Sequence, residues 1–174
     1  MNRRQLEHVI RAAAAVADDD ELIIIGSQSI LGQFPDAPAT MRVSIEADVF
    51  PRNHPERWDL IDGSLGEESP FHQTFGYYAQ GVGENTATLP DGWKARLIRV
   101  QNPNTRMAIG WTLEIHDLLL SKLFAARPKD HEFAAEAMRH GMADEATLLS
   151  RLADMPIDDE ARERLAAAIR ALRG

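Results

Sequence analysis

Apolar residues first recur at helical spacing at Leu6, Val9, Ile10, Ala13, Ala14 and Val16, behind an Asn2 that can cap the helix. The acidic run Asp18–Asp20 ends this element. Residues 21–25, ELIII, form a short β-branched run of the kind that makes a fully buried strand, and the run stops at Gly26. Residues 27–31 predict the start of a short helix with Ser27 near its N-cap. Beyond Pro35 and Pro38, the chain alternates from Met41 to Phe50. Val43, Ile45, Ala47 and Val49 are expected in the core, with Arg42, Ser44, Glu46 and Asp48 on a polar face.

Residues 51–68 are loop-like, with a helical turn around Trp58, Leu60 and Ile61. Residues 75–80, 94–101 and 106–114 predict further strands, added antiparallel to the first sheet, with a turn at Asn102-Pro103-Asn104. After Ile115 the periodicity becomes helical over 117–126, 130–140, 144–153 and 158–172, each opening on an Asp that can serve as N-cap. Pro128, Gly141 and Pro156 punctuate these segments. The expected fold class is α+β: a mixed β-sheet with flanking helices and a helical C-terminal third. A single domain over 1–174 is expected, with an α/β core over 1–115 and a helical part over 116–174.

Composition narrows the function. The 174 residues carry 27 acidic against 19 basic side chains and no Cys. The net charge of −8 argues against a broad sequence-blind DNA-binding surface or a polybasic membrane anchor. Without Cys there is no disulfide, thiolate nucleophile or Cys-ligated metal. The apolar runs are too short to span a bilayer, and residues 1–22 lack the cleavage site of a signal peptide, so a soluble, cytoplasmic protein with no membrane partner is expected. The basic residues are concentrated: residues 94–129 hold seven of them against two acidic ones, which suits either solvated faces or a wall for phosphates. The six histidines make no metal signature. Tyr77 and Tyr78 are expected to pack in the core, with stacking on a base as the alternative.

Two features point to chemistry. Glu46 and Asp48, at i and i+2 on one strand, form a polar row with Ser44, and two carboxylates so close call for a cation such as Mg²⁺. The plainer reading is a strand with its charges in solvent. Gly26-Ser27 closes the preceding strand, where a glycine lets backbone approach a ligand and a helix start aims N–H groups at a phosphate. Its plainer reading is a capped turn.

Together, Ile25-Gly26-Ser27 followed by Glu46-Ala47-Asp48 resembles the nucleotidyltransferase superfamily of polymerase-β-like fold. The resemblance implies that Gly26 and Ser27 hold a triphosphate, that Glu46 and Asp48 bind catalytic magnesium, and that Glu114, in Leu113-Glu114-Ile115, is a third metal ligand. The segment from Asp117 to Asp130 resembles the AbiEii and MenT toxin-type nucleotidyltransferases and an uncharacterised bacterial branch related to them. From it Lys122 and Asp130 inherit functional roles, Ser44 joins the nucleotide site, and Lys122 and Arg127 neutralise phosphate charge. Two positions differ from the pattern: Glu46 stands where many relatives have Asp, and Phe133 where toxin-type sequences often carry another Asp.

The activity that these resemblances imply is Mg²⁺-dependent transfer of a nucleoside monophosphate from an NTP to a hydroxyl. The acceptor could be RNA such as a tRNA end, a protein side chain or a small molecule. The alternative is a catalytically silent nucleotide-binding or interaction module, one half of a toxin–antitoxin pair with a cognate antitoxin or partner protein.

Overall fold

The structure, a computed structural model, describes residues 1–172. It divides into two compact units. The first, Met1–Thr86 with Leu97–Leu113, contains α1 (Arg3–Ala17), β1 (Glu21–Ile25), α2 (Ile30–Gln33), β2 (Glu46–Pro51), α3 (Trp58–Leu65), α4 (Pro70–Phe75), β3 (Tyr78–Gly81), β4 (Ile98–Val100) and β5 (Ile109–Thr112). The second, Ala87–Arg96 with the chain from Glu114 onward, contains α5 (Ile115–Ala125), α6 (Pro128–Arg139), α7 (Glu145–Leu152) and α8 (Asp159–Ala171). Among the described residues no helix is long and apolar enough to cross a membrane.

In the first unit the five strands form one mixed sheet in the order β3-β2-β1-β5-β4. β1 lies at its centre, which is why ELIII is apolar without alternation: Leu22, Ile23, Ile24 and Ile25 are all buried. The α1 helix opens on the expected Asn2 cap, closed by Gln5 into a reciprocal capping box. A Cβ on Gly110 of β5 would lie 2.4 Å from Ile10 Cδ1 of α1, so that glycine lets helix and sheet pack closely. Register places Leu22 and Ile24 on the face shared with Gly110, and Val49, opposite Ile24, on the same face. Glu46, Asp48 and Phe50 therefore point to the other face.

The pairing differs from the all-antiparallel expectation. β2 pairs antiparallel with β1 and β4 with β5, but β3 runs parallel to β2 and β5 parallel to β1. Residues 52–77, with α3 and α4, are long enough for the crossover that a parallel pair requires. The predicted strand over 41–50 is also shorter. β2 begins at Glu46 because β1 ends opposite Asp48, leaving Val43 (76% exposed) and Ile45 (47% exposed) outside the core assigned to them. Phe75 ends α4 instead of opening a strand; Gly76, in the left-handed conformation (φ 74°), turns the chain into β3.

In the second unit α5 packs against α6, α7 and α8. Its consecutive Leu118, Leu119 and Leu120 are all buried, as a helix surrounded by others requires. Asp144 and Asp158 cap α7 and α8 as the sequence predicts. The other two caps differ: Glu114, not Asp117, caps α5, and α6 starts at Pro128 behind Arg127, placing Asp130 inside the first turn.

Candidate active site

The first unit brings Gly26 and Asp48 together at the carboxyl end of β1. Ile25 stands opposite Asp48 in the β1–β2 ladder, so the turn leaving β1 crosses the start of β2. Gly26 adopts φ 73°, ψ −171°, a region essentially restricted to glycine, and a Cβ added there would lie 2.2 Å from Asp48 Oδ2. Ser27 follows as the first residue of a short 3₁₀ turn, whose first bond runs from Ser29 N–H to Gly26 C=O (3.1 Å). The N–H groups of Ser27 and Gln28 precede that bond and lead the turn. Ser29 is buried and anchors the turn from below, donating to Ile24 C=O at 2.6 Å. Gln28 is fully buried, and its amide nitrogen and oxygen have no hydrogen-bond partner among the described residues.

Gly26→Ala is expected to lower stability by about 1–3 kcal/mol from backbone strain alone, read as a fall of several degrees in Tm. It also displaces the Asp48 carboxylate, so any ligand held by Asp48 weakens with it.

Glu46 and Asp48, two residues apart on β2, share the face opposite α1, both half-buried. Ser44 precedes the strand and does not extend this row. Its hydroxyl bonds the main chain of Glu46, accepting from the N–H and donating to the C=O at 3.2 Å each, so Ser44 shapes the entry to β2. Tyr78, opposite Glu46 in the β2–β3 ladder, donates its hydroxyl to Glu46 Oε2 at 2.8 Å. Burial, then the Glu46 carboxylate, push the Tyr78 phenol well above its ordinary range, so it remains a donor. Assignment of Tyr78 to core packing missed this contact. Period-two alternation shows that Tyr78 and Gln80 share a face, but only the parallel pairing of β3 with β2 brings that face beside Glu46. Tyr77 points the other way and meets His8 Nδ1 at 2.8 Å.

Among the described residues no three His, Asp or Glu side chains form a metal-binding group. A cation at β2 would rest on two carboxylates, a donor set that fits magnesium, which keeps several waters and completes its shell with phosphate oxygens. Glu114 lies beyond the end of β5 and is not a strand residue. Its carboxylate caps α5 by accepting from His116 N–H (3.0 Å), meets His116 Nδ1 at 2.8 Å and pairs with Arg151. Arg151 also bridges to the fully buried Asp117 at 3.0 Å, which Arg96 grips through two nitrogens at 2.8 and 3.1 Å.

The second unit brings Lys122, Arg127 and Asp130 together. Asp130 is fully buried, accepting from Lys122 Nζ at 2.9 Å and from Arg127 Nε at 2.6 Å. The Lys122 ammonium also lies 4.6 Å from the centre of the Phe133 ring, a cation–π contact. Burial pushes Lys122 below its ordinary range, against the pull of Asp130. Burial raises Asp130, but Arg127 and Lys122 outweigh it and hold the carboxyl low. Arg96, Lys122 and Arg127 thus satisfy acids of their own unit, which removes part of the basic excess over 94–129 from a free phosphate wall. Arg127, with 58% of its side chain exposed, is the cation of this trio that reaches solvent.

These pairings set the acid stability. Burial pushes Glu114 up, yet His116 and Arg151 bring it down to about 2 from the ordinary 4.5. Asp130 is lowered, and so are Glu7, held by Asn104, Asn102 and Arg3, and Asp19, which accepts from Glu21, Asn53 and His54. A depressed carboxyl contributes stability above its unfolded value that is lost as pH falls through its folded one. These carboxyls are therefore expected to make the urea unfolding free energy decline from about pH 4.5 toward pH 2, with Glu114→Gln flattening the lower part of that curve, below a separate loss that the half-buried His8 starts near pH 6.5.

The mixed sheet, the Gly-Ser turn and the acid pair beneath it define a protein of the nucleotidyltransferase class. Residues 4–164 match the family described as nucleotidyltransferase of unknown function (DUF6036), and the chain belongs to that family. No curated protein and no solved structure matches the chain.

Proposed function

We propose that this protein is a magnesium-dependent nucleotidyltransferase, moving a nucleoside monophosphate from an NTP to an acceptor hydroxyl. The observation that carries this reading is the approach of Asp48 Oδ2 to the Gly26 backbone, so close that a Cβ would stand 2.2 Å from it. A cation held there sits beside a turn whose leading N–H groups can seat phosphate. Bound magnesium would neutralise phosphate charge and lower the pKa of the attacking hydroxyl.

The residues supply positioning. Glu46 and Asp48 offer their carboxylate oxygens on one face of β2, and the N–H groups leading the turn, with the Ser27 hydroxyl, receive triphosphate oxygens. Held in this way, the α-phosphorus and acceptor meet without a strong protein base. Ser44 supports the site by fixing the Glu46 main chain; in the second unit Asp130 fixes Lys122 and Arg127, the two cations to which the resemblance gives phosphate-neutralising roles. We assign the acceptor to RNA, a tRNA end being one such hydroxyl, because Lys94, Arg99, Arg106 and Lys129 are exposed basic residues in an otherwise acidic chain. The segment from Lys122 to Asp130 supports a toxin-like role with a cognate antitoxin as partner.

The test incubates the protein with each labelled NTP and Mg²⁺, with total RNA in one arm and a small-molecule hydroxyl panel in another. Incorporation into RNA that disappears in Glu46→Gln and Asp48→Asn is the expected result. Incorporation only into small molecules overturns the acceptor. Nucleotide binding without incorporation in any arm overturns the enzyme and leaves a silent module.

A further inference from the structure

Glu46 reaches its site on a longer arm than Asp48, with one more rotatable bond, and a flexible ligand loses more conformational freedom on binding. One contact removes that freedom in advance, and two others fix the main chain from which the side chain starts. The Ser44 hydroxyl bonds both the N–H and the C=O of Glu46. The Tyr78 N–H donates to Ile45 C=O at 3.0 Å, fixing β3 beside the first residue of β2. The Tyr78 hydroxyl then donates to Glu46 Oε2 at 2.8 Å, tying one of the two carboxylate oxygens.

The tyrosine is itself held. It is 6% exposed, and the His72 ring packs on it at 4.7 Å between centroids. His72 is fixed in turn within α4, its N–H bonded to Ser69 Oγ at 3.1 Å and its Nδ1 accepting from Glu68 N–H at 3.1 Å. Gln80, opposite Asp48 on β3, gives its amide to Asp62 at 3.1 Å.

We infer that Tyr78 is a positioning residue for the metal site, holding the Glu46 carboxylate in its cation-binding orientation through the phenol hydroxyl. The inference rests on the reading of Glu46 and Asp48 as a cation site. Partners that orient a ligand from behind typically carry 10–100-fold in metal affinity, so loss of this hydroxyl should weaken the cation by about tenfold.

The test measures Mn²⁺ binding by electron paramagnetic resonance in the full chain and in Tyr78→Phe, Tyr77→Phe and Glu46→Gln. Tyr78→Phe keeps the ring against His72 and removes only the hydroxyl, and an unchanged Tm confirms that the fold is intact. The expected result is about tenfold weaker Mn²⁺ binding in Tyr78→Phe, binding like the parent in Tyr77→Phe, and none at this site in Glu46→Gln. In transfer assays Tyr78→Phe should raise the metal concentration needed for half-maximal rate while the rate at saturating metal recovers, a split that a general packing defect does not produce. If Glu46→Gln abolishes binding and Tyr78→Phe matches the parent, the cation site stands and the role of Tyr78 is overturned. If Glu46→Gln binds Mn²⁺ as the parent does, the cation reading itself fails and takes this inference with it.

Discussion

Asp48→Asn is expected to reduce nucleotide transfer by about 10²–10³-fold while leaving the thermal transition within a degree or two of the parent. The side chain keeps its shape and stands half-buried on β2. What it loses is a carboxylate beside the Gly26-Ser27 turn, where a Cβ on Gly26 would stand 2.2 Å from Oδ2. Charge placed where phosphate charge must be neutralised is worth several kcal/mol to the reaction and little to stability. Steady-state transfer rates beside a melting curve separate the two. Equal losses of rate and Tm would mean that Asp48 is structural.

The second large effect falls on stability. Asp130→Ala is expected to cost about 3–5 kcal/mol in urea unfolding, because it takes the carboxylate from a buried Lys122, leaving it against the Phe133 ring, and releases Arg127. Most of that cost is the unpaired ammonium, not the lost attraction. The double variant Asp130→Ala with Lys122→Met removes both charges and should recover the greater part of the loss, as a double-mutant cycle would register. A cost below about 1 kcal/mol for Asp130→Ala would show that water reaches the pair and that the trio is a surface ion cluster.

Local chemistry was legible in the chain wherever neighbours in sequence decide the outcome. Asn2 announced the start of α1, ELIII the central strand, and Asp144 and Asp158 the starts of α7 and α8. The turn and acid pair were also visible, since Gly26-Ser27 and Glu46-x-Asp48 are short local patterns. The sequence did not reveal what depends on which strand lies beside which. Val43 and Ile45 alternate as a strand should, yet β1 is too short to pair with them. The parallel placement of β3, which brings Tyr78 to Glu46, is a pairing across 32 residues that no local pattern carries. Glu114 has a strand-like flank on each side, but its carboxylate is placed by His116 and Arg151, residues that act on it only once the helices pack. The pairing of Lys122 with Asp130 spans a helix end, where helical spacing ceases to predict contacts.

The central claim is that Glu46 and Asp48 share a cation beside the Gly26-Ser27 turn, and calorimetric titration with a non-hydrolysable NTP tests it most directly. Run in Mg²⁺ and again with the metal chelated, on the parent chain and on Asp48→Asn, it should show nucleotide binding in the parent with Mg²⁺ and a large loss of affinity in the other three combinations. Binding of equal strength with the metal removed, or undiminished in Asp48→Asn, would contradict it.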